Sequence, residues 1–307
     1  MSWTAADVPD QTGRFAIVTG ANSGIGLETT RELARNGATV LMACRDRDRA
    51  ERAAEDVRRD VPDAELPIER LDLASLESVR SFADATAEYG SIDLLINNAG
   101  VMAISRQETD DGFETQFGVN HLGHFALTGL VFDRLAADGR IVTVASEAHR
   151  MGELDFEDLH GKDDYGKWSA YGQSKLANLL FAYELDRRLA AAGSEIKSIA
   201  VHPGYTDTNL QLRGPRQEGS TIMTALMRAL NAIVGQAPAD GALPTLYAAT
   251  APAAESGAYY GPDGVLKMRG LPERQRSSDA SDDLETARRL WSISETQTGV
   301  EYDLSIG

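Results

Sequence analysis

Phe15-Ala16-Ile17-Val18-Thr19-Gly20-Ala21-Asn22-Ser23-Gly24-Ile25-Gly26 is a short apolar run, rich in β-branched residues, that ends in a glycine-rich turn. A helical pattern from Ile25 to Asn36 follows at once, so the stretch predicts a strand, a turn and a helix. Glycines let a backbone approach a pyrophosphate closely, and a helix N-terminus offers free N–H groups to negative charge. Gly20, Asn22, Ser23, Gly24, Ile25 and Gly26 are therefore candidate phosphate contacts. An ordinary tight turn is the competing reading, and the spacing departs from plain G-x-G-x-x-G. Placement after the first strand of an alternating chain favours the dinucleotide.

Working outward, Gly37 stops the first helix and Ala38 to Ala43 reads as a second buried strand, followed by an Arg/Glu/Ala-rich helix from Asp46 to Asp60. The alternation continues with a strand at Pro67 to Leu71, a helix from Ser75 to Tyr89 and a strand at Ile92 to Ile96. A long helix is predicted over Phe113 to Ala137, then a strand at Arg140 to Val144, a helix at Trp168 to Ala192 and a strand at Ile196 to Val201. A helix at Ala239 to Thr250, a short strand near Ala258 to Tyr260 and a surface helix at Asp282 to Thr296 close the chain. This order predicts an α/β fold, a single Rossmann-type, doubly wound and mostly parallel sheet flanked by helices. One domain is expected over residues 1–307, with 209–236 inserted as a small substrate lid.

The 307 residues are 42% hydrophobic and 25% charged, which excludes a disordered or collagen-like polymer. A net charge of -17 disfavours nucleic acid and anionic membranes as partners, because both would be repelled at long range. Only five of the thirty basic residues are lysines, so the acidic surface fits either a high-salt habitat or a GC-rich genome. The lone Cys44 rules out an intramolecular disulfide and weakly favours a reducing compartment. No run is long enough for a membrane span and Met1 to Asp10 carries no basic-then-apolar signal, so a cytoplasmic protein without a membrane anchor is expected.

The end of the second strand discriminates between dinucleotides, since a carboxylate there would accept from a free ribose 2'-hydroxyl. Cys44-Arg45 stands there instead, and a guanidinium suits a 2'-phosphate. The alternative for Arg45 is a surface pair with Asp46 or Asp48; Cys44 reads as a packing residue. Asp72-Leu73, after the third strand, is placed to meet an adenine ring, although Asp72 also reads as a helix N-cap. Asn98, Ala99 and Gly100, after the fourth strand, form a small-residue turn that a cofactor can approach.

Four polar residues lie further along: Asn120, Ser146, Tyr171 and Lys175, the last two at i, i+4 on one helix face. With the glycine turn and Asn97 to Gly100, this order resembles the short-chain dehydrogenase/reductase family over nearly all of the chain, from Arg14 to about Gly264. The resemblance implies that Tyr171 is the acid/base, that Lys175 favours the phenolate and binds the nicotinamide ribose, and that Ser146 holds the substrate oxygen. An ammonium at about 4 Å contributes on the order of 4 kcal/mol at an effective dielectric of about 20. Asn120 is implied to hold a water linking Lys175 to solvent. His202-Pro203-Gly204-Tyr205-Thr206-Asp207-Thr208 matches the family's turn after the sixth strand, which assigns Pro203, Gly204 and Thr208 to the carboxamide.

Ala43-Cys44-Arg45-Asp46, the wide gap from Ser146 to Tyr171 and His202-Pro203-Gly204 look like the branch that contains retinol dehydrogenases and protochlorophyllide reductases. That resemblance implies NADP(H) and an apolar alcohol or carbonyl substrate. It also implies a homodimer or homotetramer paired through the long central helices. A catalytically silent, NADP(H)-sensing interaction protein has no need for the four polar residues, and the short region after Pro203 leaves little room for the nucleotide-sugar domain of an epimerase. His121 and His124 are three apart on a helix without a third ligand motif, so no metal site is expected and both read as packing or hydrogen-bonding residues.

Overall fold

The computed structural model describes residues 2–204, 237–264 and 267–304; the expected lid at 209–236 and Thr208 lie outside them. Eight strands form one sheet, β1 (Phe15–Thr19), β2 (Thr39–Cys44), β3 (Ile68–Arg70), β4 (Ile92–Asn97), β5 (Leu135–Val144), β6 (Lys197–Val201), β7 (Tyr259–Pro262) and β8 (Pro272–Gln275). Their order is β3-β2-β1-β4-β5-β6-β7-β8, parallel throughout except that β8 runs antiparallel to β7. Helices α1 (Gly24–Arg35), α2 (Arg47–Asp60), α3 (Leu76–Ala85), α4 (Thr115–Phe117), α5 (Gly123–Leu130), α6 (Lys167–Ala192), α7 (Pro238–Thr250) and α8 (Leu284–Thr298) connect or follow them.

Strands covered on both faces need apolar residues at every position, which is why β1 reads as an unbroken buried run. Successive side chains point to opposite faces. Ala16, Val18, Val40, Met42, Leu94 and Ile96 pack with Leu33 of α1, Val57 of α2 and Leu246 of α7. Phe15, Ile17, Leu41, Leu95 and Ile141 pack on the other face with Phe82 of α3, Phe125 of α5, Phe181 of α6 and Trp291 of α8. Trp291 also stacks on Phe181 and lies edge-on to Phe125, closing this second layer.

Chain winding reverses between β1 and β4, so their carboxyl ends open a crevice at the topological switch point. The glycine turn after β1 and Asn98 to Gly100 after β4 border that crevice.

Two elements differ from expectation. The helix expected over Phe113 to Ala137 is α4, a π turn at Gly118–Leu122 and α5, which stops at Leu130; Leu135 to Ala137 belong to β5. Leu135 pairs with Ile92, and a register shift between Ile92 and Leu94 absorbs the residues that brought the chain to the sheet early. Strand pairing thus overrides a helical pattern. Strand β8 was not expected, because Pro272-Glu273-Arg274-Gln275 has a single apolar member and sits at the sheet edge.

Candidate active site

At the glycine turn, Gly20 takes φ +68° and Gly24 φ +56°, backbone that L side chains rarely adopt. Gly20 N–H donates to Ala43 O at 2.9 Å, tying the turn to the end of β2. A Cβ on Gly26 would lie 2.5 Å from both Gly20 O and Asn98 Nδ2, so α1 can start this close to the strand only with glycine there. Ser23 is the N-cap, yet its hydroxyl makes no capping bond, and the first turn of α1 carries no acidic residue. The positive helix terminus is left for an outside anion.

Arg45 lies exposed beyond β2, without an ion-pair partner among the described residues. Asp46, its neighbour, instead caps α2 by accepting from Arg49 N at 3.0 Å. Cys44 is buried, and burial pushes its thiol up to about 12, which suits packing rather than reactivity. Asp72 accepts from Ala74 N at 3.1 Å, while Ser75 takes the N-cap of α3. Leu73 is buried, its carbonyl facing Gly123 at the start of α5. Beyond β6, Gly204 takes φ +69°, and a Cβ there would lie 2.3 Å from Met268 O; Pro203 precedes it.

The four polar residues converge at the carboxyl ends of β4 and β5. Ser146, directly after β5, is near enough to the Tyr171 phenol to lower its pKa, and its Oγ accepts from Ala148 N at 3.2 Å. Lys175 follows one turn along α6, its Nζ 5.8 Å from the Tyr171 ring centroid and donating to Val144 O at 2.9 Å. Asn120 sits inside the π turn, a distortion that recurs at functional sites. Its Oδ1 accepts from Val101 N at 2.8 Å, and its Nδ2 donates to Val101 O and to Ser174 Oγ, each at 2.9 Å. Both Tyr171 and Lys175 are at most 6% exposed. Burial pushes the phenol up to about 12, opposed by the neighbouring Ser146 hydroxyl, and pulls the ammonium down to about 8. The lowering of the tyrosine by Lys175 that the resemblance implies is not among the causes here: desolvation sets the direction, with Ser146 opposing it.

Of the residues that hold this cluster, Thr19 and Gln116 escaped the sequence reading, which takes His124 as a packing or hydrogen-bonding residue and places His149, near Ser146, at the border of the substrate pocket. Thr19 Oγ1 accepts from Asn98 N and Ala99 N, both at 2.9 Å, and faces His124 Nε2 at 2.9 Å. His149, fully buried, reaches Ser146 O through Nδ1 at 2.6 Å and accepts from Ser278 N at 3.1 Å, anchoring the serine turn to the segment before α8. Gln116 donates to Lys167 O at 2.9 Å, fixing the first residue of α6. The available signal was spacing, since His124 stands four residues after Asn120 and His149 three after Ser146. Polar residues on helices that look apolar carry too little pattern to announce such bonds.

The short chain dehydrogenase family model matches residues 14–218. Retinol dehydrogenase 13 of Homo sapiens is 43% identical over 295 residues, covering 94% of this chain and 86% of the relative. Polyprenol dehydrogenase of Mus musculus is 42% identical over 299 residues, covering 95% and 86%. A crystal structure of an uncharacterised protein from Mycobacterium paratuberculosis superposes with a TM-score of 0.82 at 43% identity, over 99% of this chain and 100% of that one. Among the described residues no helix is long and apolar enough to cross a membrane. With the sheet order, the glycine turn and the match in agreement, the chain belongs to the short chain dehydrogenase family and is an oxidoreductase of its retinol dehydrogenase-like branch.

Proposed function

We propose that the protein is an NADP(H)-dependent oxidoreductase that interconverts an apolar alcohol and its carbonyl, with Tyr171 as acid/base. The observation that carries this reading is the buried phenol of Tyr171, with Ser146 beside it and the Lys175 Nζ 5.8 Å from its ring centroid, near a glycine cradle that a Cβ would fill. The cradle, the uncapped terminus of α1 and Arg45 fit a dinucleotide with a 2'-phosphate. When bound, the nicotinamide supplies hydride exchange at carbon.

The chain's own residues then handle the oxygen. Ser146 donates to the substrate oxygen and stabilises charge building on it. Tyr171 gives its proton to that oxygen in reduction and takes one in oxidation. The Lys175 ammonium lowers the energy of the phenolate left behind, and Asn120 braces α6 through Ser174. Supporting the apolar substrate are the relatives named for retinol and polyprenol and the stripe Ile222, Met223, Leu226, Met227, Leu230 and Ile233, which we read as a substrate lid within one domain.

Cofactor titration followed by tryptophan quenching tests the first half of the reading. NADPH is expected to bind more tightly than NADH, and Arg45→Ala is expected to weaken NADPH about 10- to 100-fold, the loss of one or two charge-assisted bonds, with NADH nearly unchanged. Equal affinities in the parent, or an unchanged ratio in the variant, would remove the NADP(H) assignment. Competition kinetics test the second half. kcat/KM is expected to rise with the apolar bulk of the carbonyl, and Met227→Asp is expected to lower it with Tm unchanged. Small polar substrates winning in the parent would remove the apolar-substrate assignment.

A further inference from the structure

His124 is 2% exposed and starts no chemistry of its own, yet it is bonded at both ring nitrogens. Nδ1 lies 3.0 Å from Asn120 O, inside the π turn, and Nε2 lies 2.9 Å from Thr19 Oγ1 at the end of β1. The proton inventory decides which nitrogen carries the hydrogen. Thr19 Oγ1 accepts from Asn98 N and Ala99 N, which occupies both lone pairs of a hydroxyl oxygen. Its one proton is then free to point at His124 Nε2, or more distantly at Ile96 O at 3.3 Å. An Nε2–H would face an oxygen with no lone pair left. Nε2 is therefore the bare acceptor, and the ring's hydrogen sits on Nδ1, donating to Asn120 O. Complete burial, with the Lys175 ammonium nearby, pulls the ring's pKa down to about 4 and keeps it neutral.

We propose that His124, locked as the Nδ1–H tautomer, is a positioning residue that joins the two halves of the site. At one end it holds Thr19, whose hydroxyl gathers the backbone N–H groups of Asn98 and Ala99 on the cofactor side. At the other it holds the main chain of Asn120, whose amide clamps Val101 and Ser174 on the catalytic side. Gly100 stands between the two: a Cβ there would lie 3.0 Å from Asn120 Oδ1 and 3.7 Å from Lys175 Nζ, so this turn has room for glycine beside both side chains. No other side chain spans from β1 to the π turn among the described hydrogen bonds.

The tautomer is read without any turnover, and only the kinetic arm rests on the proposed oxidoreductase reading. In 15N-histidine-labelled protein, the signals lost in His124→Asn are expected to show a protonated Nδ1 and a bare Nε2; an Nε2–H ring would overturn the proposal. His124→Phe keeps the ring's bulk and removes both bonds. It is expected to lower kcat at least tenfold on a responsive substrate while KM for that substrate changes less than threefold. His124→Asn, whose amide can replace the bond to Asn120 O, is expected to recover kcat to within about threefold of the parent. Folded His124→Phe with parental kcat, or His124→Asn no better than His124→Phe, would show a residue that only packs. If His124→Phe does not fold, Thr19→Val reads the same bridge from the other end. It is expected to loosen NADPH at least fivefold, and parental affinity there contradicts the coupling.

Discussion

Tyr171→Phe is expected to reduce kcat by about 10²- to 10⁴-fold, the range general acid–base catalysis supplies, while NADPH affinity stays within about threefold of the parent. A phenyl ring fills the same buried space, so α6 keeps its packing, and Trp168 keeps its edge-on contact at 6.4 Å. Only the hydroxyl and its exchangeable proton are lost. Stopped-flow measurement of NADPH consumption with a bulky apolar carbonyl separates chemistry from release. A folded variant within tenfold of the parental rate would take the acid/base role away from Tyr171.

Lys175→Met is expected to abolish most turnover and, in the same protein, to raise stability by about 1–3 kcal/mol at neutral pH. Burial pulls the ammonium from 10.5 down to about 8, which means the folded state holds that charge at a cost. Methionine has nearly the same volume and no charge. Removing the ammonium does not orphan Val144 O, because Asn178 Nδ2 still donates to it at 3.1 Å. The sign follows from the lowered value. Below about pH 8 the ammonium is charged in both folded and unfolded chains and the full penalty is present. As pH rises from about 8 to 10.5, the folded state sheds the proton first and the parent recovers stability. The advantage of Lys175→Met in urea unfolding should therefore be largest at pH 7 and shrink by pH 10. A variant less stable than the parent at pH 7 would mean that the Lys175 bond to Val144 outweighs its desolvation.

Much of this architecture was legible because buried parallel strands have no choice but to be apolar. Phe15 to Thr19 and Ile92 to Ile96 announce themselves, and Gly20 to Gly26 between a strand and a helix mark the crevice at the switch point. The tip of β5 was not legible, since Leu135 to Ala137 continue a helical pattern and join the sheet only because Ile92 offers a pairing partner. Strand β8, three polar residues and a proline, is defined by its ladder with β7 rather than by its own composition.

The catalytic side chains could be read from order and spacing, but the bonds that hold them could not. Thr19, His124, His149 and Gln116 act through bonds between segments far apart in sequence, such as Thr19 with His124 and Gln116 with Lys167. Burial of Tyr171 and Lys175 is likewise a property of the assembled α6 and β5, so the direction of both pKa values was invisible in the residue types alone.

Hydride transfer at this site is tested most directly by isotope label. NADPH carrying deuterium at the nicotinamide C4, prepared separately on each face, is incubated with the protein and a bulky apolar aldehyde or ketone, and the alcohol is analysed by mass spectrometry. One face is expected to deliver deuterium to the carbinol carbon, with the label absent when Tyr171→Phe replaces the parent. NADPH that binds the parent but leaves every carbonyl unreduced and unlabelled would contradict the oxidoreductase chemistry placed on Ser146, Tyr171 and Lys175.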